Sequence, residues 1–102
     1  QMVTFDDIVK LERRDVQLVL RGLDASVLAV AMKGATEQVL ETITTNVSGR
    51  NLEILESEMA ALGPLRASQI EEARAAVVRS IRELEAEGQI TIQRGDEEDY
   101  VY

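Results

Sequence analysis

The residues of this chain that could do chemistry are its charges. Arg50, Glu53, Glu56, Glu58 and Arg66 fall in the middle of the sequence, with Ser57 between two of the acids. Thiol and imidazole chemistry, as nucleophile or as zinc ligand, is excluded because the chain has no cysteine and no histidine. Carboxylate chemistry is poorly served too. Asp6-Asp7, Glu71-Glu72 and Glu97-Glu98 are adjacent pairs, and neighbouring side chains of a helix diverge by about 100°. Such pairs cannot readily share a proton or a metal ion. First-turn acids complementing a helix dipole, together with a solvated acidic tail, account for them. No phosphate loop, dinucleotide fingerprint or G-x-S-x-G elbow is present. The sequence therefore predicts neither an enzyme nor a cofactor nor a metal site. What remains is a set of charges that are either ordinary solvated surface or the reason the domain exists.

The elements that must carry those charges are helical. Leu, Ala, Ile and Val supply the apolar bulk, aromatics are only 3%, and a single Pro accompanies six Gly. That mixture favours packed helices over a turn-rich sandwich or barrel. Thr4 precedes a short capped turn running to about Leu11. Asp15 reads as the cap of a second helix, with Val16, Val19, Leu20 and Leu23 on its apolar face and Gly22 at its end. Asp24 or Ser26 opens a third, which stops at Gly34. Thr36 opens a fourth, with Val39, Leu40, Ile43 and Val47 in helical register.

The fifth helix, capped by Ser48, carries most of the charges. Leu52, Leu55, Met59 and Leu62 fall within about 80° of arc, which predicts one narrow buried stripe. Arg50, Glu53 and Ser57 lie roughly opposite it, with Glu56 and Glu58 on its flanks. Gly63-Pro64 breaks the helix, Gly by tolerating a left-handed terminus and Pro by being unable to continue. Ser68-Gln69-Ile70-Glu71 reads as a capping box for a sixth helix, whose seam is Ile70, Ala73, Val77, Ile81 and Leu84. Arg79 and Glu83 are spaced to pair on its surface, in the less favourable orientation. Gly88 ends it. Ile90-Thr91-Ile92 predicts a short strand or extended segment, followed by an acidic tail.

At 102 residues and 45% hydrophobic content the chain suits one domain with its own core. The fold class expected is all-α, a compact bundle of about six helices. A net charge of −8 opposes binding to nucleic acid or anionic lipid. Residues 67–95 imitate a recognition helix and wing, but Arg74, Arg79 and Arg82 are outnumbered by Glu71, Glu72, Glu83, Glu85 and Glu87. Winged-helix DNA binding is thus a distant third reading. No stretch is long and apolar enough for a membrane span, so no direct membrane insertion is expected. The opening Gln1 predicts a piece of a longer protein.

Five blocks, M-V-T-F-D-D-I, A-M-K-G-A, N-V-S-G-R, A-L-G-P-L-R and L-E-A-E-G-Q-I-T-I, occur in that order between residues 2 and 92. In order and spacing the chain resembles the C-terminal domain of the flagellar motor switch protein FliG. The resemblance implies an armadillo-like superhelix ending in a six-helix unit. Residues 1–5 would form a hinge, 6–93 the torque-generating domain and 94–102 an acidic tail. It further implies a rotor component of the bacterial flagellar motor, in the switch ring at the cytoplasmic face of the inner membrane. There its fifth helix would meet the cytoplasmic part of the stator protein MotA and take part in reversing rotation. Other partners would be FliM and neighbouring FliG subunits, through this or upstream domains.

The stator-facing charges that the resemblance assigns are Lys33, Arg50, Glu58 and Arg66, with Glu53, Glu56 and Ser57 secondary. Ser57 stands where the best-studied members carry a second carboxylate. The hinge comprises Met2, Val3, Thr4 and Phe5, with Val3 replacing an aromatic of the family's Met-Phe-x-Phe. The alternative is a purely structural ring scaffold that binds its neighbours through apolar surface. An exposed apolar patch on the third or fourth helix, with Lys33, Arg50, Glu58 and Arg66 scattered over different faces, would favour it; gathering of those four along one exposed ridge would favour the stator-facing reading.

Overall fold

A computed structural model describes residues 2–92. The chain enters through a single 3-10 turn, Phe5–Lys10, and continues as five α-helices: α1 Arg13–Arg21, α2 Ala25–Ala31, α3 Glu37–Thr44, α4 Gly49–Ala61 and α5 Ala67–Ala86. The expected all-α bundle is therefore present, with α4 and α5 as the fifth and sixth helical segments. No strand occurs among the described residues. Ile90 and Ile92 are buried while Thr91 between them is exposed, so the segment after α5 lies against the core without pairing. The acidic tail lies outside the described residues.

One apolar cluster unites every element. Helix α2 is central, packed against both α4 and α5, while the 3-10 turn rests on α3 and α5. Its sequence ASVLAVA explains the position. Leu28, Ala29 and Ala31 are buried, and the small alanines let neighbouring helices come close. At seven residues α2 is too short to persist alone, so its neighbours hold it.

The helix starts differ from expectation in two places. Asp15 does not cap α1. Glu12 does, with extended backbone and a carbonyl that accepts from Val16 N–H at 2.9 Å. Asp15 instead sits in the first turn, only 7% exposed, and its Oδ2 accepts from Thr91 N–H at 3.3 Å. It serves as a peg for a segment 76 residues away. Asp15→Ala should cost about 1–2 kcal/mol, because it removes the acceptor of a partly buried amide. Amide exchange at Ile90–Ile92 should rise, whereas Asp15→Asn, which keeps an acceptor oxygen, should leave it nearly unchanged.

The second difference is at α5, which begins two residues before the predicted box. Arg66 is the N-cap, and Gln69 Oε1 accepts from Arg66 N–H at 2.8 Å. Gln69 thus does from the third helical position what Glu71 was expected to do. By contrast Thr36 caps α3 as predicted, its Oγ1 accepting from Val39 N–H at 3.2 Å. Arg79 and Glu83, both exposed, form no ion pair among the described residues, in keeping with their unfavourable order.

The entry turn carries its own electrostatic lock. Asp7 accepts from Thr4 N–H at 2.8 Å and faces Lys10 Nζ at 3.2 Å. Slight burial pushes its carboxyl up, but the Thr4 amide and the Lys10 ammonium outweigh this and hold the pKa below the ordinary 3.8. A depressed carboxylate stabilises the fold above the unfolded value and loses that contribution as pH falls through the folded one. The turn should therefore loosen below about pH 4, followed through the amide signals of Phe5–Lys10. Asp7→Asn should remove that acid response while costing under about 1 kcal/mol at neutral pH, since the Lys10 end of the pair is open to solvent and asparagine keeps an acceptor for the Thr4 amide.

Candidate charged face

Helix α4 presents the charges, and three local features set its placement. Gly49 adopts a φ of 59° at its first position, a conformation that any side chain would strain, and this lets the chain turn from Ser48 into the helix. Leu55 is the only fully buried residue of α4, and it faces the bundle. The far end stops differently from expectation. Gly63 does not take the left-handed form; Leu62 is already extended, and Pro64 excludes a further turn.

The buried stripe is also shallower than its spacing predicts. Leu52, Met59 and Leu62 are half-buried, and Leu62 lies just beyond the helix as its C-cap. A single neighbour, α2, covers most of this face, so only the central position of the stripe is fully enclosed. Ile54 is 43% exposed. It sits between Arg50 and Glu58 in an i, i+4, i+8 row about 12 Å long.

Every residue assigned to the charged surface is exposed: Lys33, Arg50, Glu53, Glu56, Ser57, Glu58 and Arg66. Helical geometry puts Arg50, Glu53 and Ser57 within about 40° of the direction opposite Leu55, with Glu58 and Glu56 on opposite flanks. Lys33 lies in the turn that follows α2, and Arg66 immediately precedes α5. Among the described residues none of these charged side chains is in an ion pair; the pair present there is Lys10–Asp7. They are left to water or to a partner. Met2 is largely exposed, Val3 is half-buried against the core, and Phe5 is buried. Of the four residues expected to form a hinge, Phe5 alone is deeply buried.

Beside the row of Arg50, Ile54 and Glu58 runs an open groove of about 490 Å³, floored by Leu20, Leu28 and Leu55. Its rim holds Arg21 and Asp24. Among the described residues no group of three or more carboxylates is placed to hold a metal ion, and no helix is long and apolar enough to cross a membrane. The arrangement offers exposed charge of both signs.

Arg74 is a residue that sequence reasoning placed on the wrong footing, as one of the cations of a false recognition helix. Half-buried on α5, it donates from Nε to Ala31 O and from Nη2 to Lys33 O, both at 2.8 Å. Its guanidinium also lies 4.9 Å from the centroid of the Phe5 ring. It thereby satisfies orphan carbonyls at the C-terminal end of α2 and covers the entry anchor by a cation–π contact.

Comparison with known proteins fits this geometry. FliG of Thermotoga maritima is 42% identical over 101 residues, covering 99% of this chain and 30% of that protein. FliG of Borreliella burgdorferi is 43% identical over 99 residues, covering 97% and 29% respectively. The chain therefore spans about 30% of the length of these relatives. Among solved structures, FliG residues 116–343 from H. pylori superpose with a TM-score of 0.84 at 27% identity, covering 89% of this chain and 40% of that one. Full-length FliG from Aquifex aeolicus gives 0.78 at 38% identity, covering 84% and 27%. The family model of the FliG C-terminal domain matches residues 1–92, and the chain belongs to that family.

Proposed function

We propose that this domain is the part of a flagellar rotor that faces the stator, exchanging transient charge contacts with the cytoplasmic part of MotA. It would lie in the switch ring at the cytoplasmic face of the inner membrane, with FliM and neighbouring FliG bound through this or upstream domains. The observation that carries the reading is the set of Lys33, Arg50, Glu58 and Arg66, all exposed and in no ion pair among the described residues, with Arg50 roughly opposite Leu55 on α4 and Glu58 on its flank. Glu53 and Glu56 add negative charge beside them, and Ser57 leaves one acidic position of the family empty of charge.

Magnitudes favour such contacts in a rotating machine. An exposed ion pair contributes about 0–1 kcal/mol, and its field is screened over about 8 Å at physiological ionic strength. A rotor element passing a stator must align and then release. Several weak pairs achieve this, whereas a large buried apolar contact would hold the partner in place. The scaffold alternative called for an exposed apolar patch on α2 or α3. Among the described residues the exposed large hydrophobics are Met2 and Ile54, on neither helix.

The test is charge reversal in the complete motor protein. Neutralising Arg50 or Glu58 singly should reduce torque less than about twofold, and Arg50→Glu or Glu58→Lys should reduce it several-fold, as expected when each pair is weak and repulsion replaces attraction. Opposite-sign changes in the stator should restore swimming. Unchanged torque in folded reversal variants and in their combinations refutes the proposal.

A further inference from the structure

The three contacts of Arg74 join parts of the chain that are remote in sequence. Phe5 is the buried residue that anchors the entry segment, and it starts the 3-10 turn. Ala31 and Lys33 belong to the end of α2 and the turn after it. A single guanidinium touches both regions from α5: its central carbon lies over the Phe5 ring at 4.9 Å from the centroid, and two of its N–H groups reach the carbonyls. The fork of an arginine is rigid and planar, so it moves as one body. A displacement of the Phe5 ring that carries the guanidinium with it therefore also moves the N–H that holds the Lys33 carbonyl.

We infer that Arg74 is a positioning residue that links the conformation of the entry segment to that of the Lys33 turn. The exposed ammonium of Lys33 rides on a backbone whose carbonyl is held by Arg74 Nη2 at 2.8 Å. Any reorientation of the segment before Phe5 that moves the ring is felt at that lysine, while the charges of α4, fixed through Leu55, stay in place. The entry segment thus adjusts one member of the charge set relative to the others. The consequence of this linkage for a motor rests on the stator-facing reading above; the linkage itself does not.

Heteronuclear NMR on the isotope-labelled 102-residue chain separates the two. In the unsubstituted chain the Arg74 Nε–H should exchange with solvent about tenfold more slowly than that of exposed Arg79, because only the former is held by a carbonyl. Phe5→Leu should move the amide signals of Lys33, Gly34 and Ala35, and about threefold less in an Arg74→Lys background, where the planar fork is gone and the pair is uncoupled. Should Phe5→Leu fail to give a dispersed spectrum, Phe5→Tyr keeps the ring but adds a hydroxyl that this buried site must accommodate by shifting it, and makes the same comparison. Equal shifts in both backgrounds, or fast exchange of the Arg74 Nε–H, overturn the inference. Neither result bears on the torque of Arg50 and Glu58 reversals, and a failure of those reversals leaves the linkage intact.

Discussion

Leu55→Ala is expected to lower the stability of the domain by about 3 kcal/mol, within the range for a fully enclosed leucine that leaves a cavity. Leu55 is 1% exposed and is the only residue of α4 that is fully buried. Leu52, Met59 and Leu62 touch the bundle from half-buried positions, so they cannot take over its role without a shift of the whole helix. Against a total of about 5–15 kcal/mol for a domain of this size the loss is severe. It should lower Tm by about 12–20 °C. Leu55→Met, nearly conserving volume, should cost less than about 1.5 kcal/mol. Thermal unfolding of the two variants checks both values, and amide exchange should show α4 loosening ahead of α5. A cost below about 1 kcal/mol for the alanine variant would mean that α4 is held by its flanks. The same variant should also impair the proposed rotor function although every charge is still present. A row of charges on a helix acts as a surface only while the helix keeps its azimuth.

Helix existence was legible in the sequence wherever periodicity and local chemistry agreed. The middle of the α5 seam, Ala73, Val77 and Ile81, is buried as its spacing predicts, while Ile70 and Leu84 at its ends are half-buried, and Thr36 caps α3 with its own hydroxyl oxygen. Gly88 takes the left-handed conformation expected of a helix terminator. Two errors arose where a residue's partner lies far along the chain. An aspartate ahead of an apolar run reads as an N-cap, yet Asp15 is recruited by an amide 76 residues away. Arg74 read as a surface cation because its carbonyl partners are 41 and 43 residues distant. The charged positions were found through short motifs, and their residue types alone do not distinguish a working face from a solvated one. Their exposure and lack of ion pairs emerged only from the packing. The shallow stripe of α4 belongs to the same class, since spacing shows which side turns inward but not how much neighbour covers it.

Arg74→Ala should be nearly as costly as the loss of Leu55, although Arg74 lies outside the apolar core. Two hydrogen bonds from a cation to backbone carbonyls disappear, each worth about 1.5–3 kcal/mol when the acceptors are sheltered. The cation–π contact with Phe5 adds about 0.5–1 kcal/mol. Arg74 is only half-buried, and water can replace part of the lost hydrogen bonding, so the total expected is about 3 kcal/mol rather than the full sum. The loss should concentrate at the C-terminal end of α2, where the Ala31 and Lys33 carbonyls lose their donors. Because α2 packs on both α4 and α5, loosening it should reduce the cooperativity of unfolding as well as its midpoint. Arg74→Lys keeps the charge and can reach one carbonyl or the ring, so it should recover about half of the deficit. Chemical denaturation of the two variants settles the point. If Arg74→Ala stays within about 1 kcal/mol of the unsubstituted chain, the end of α2 is held by its apolar packing alone.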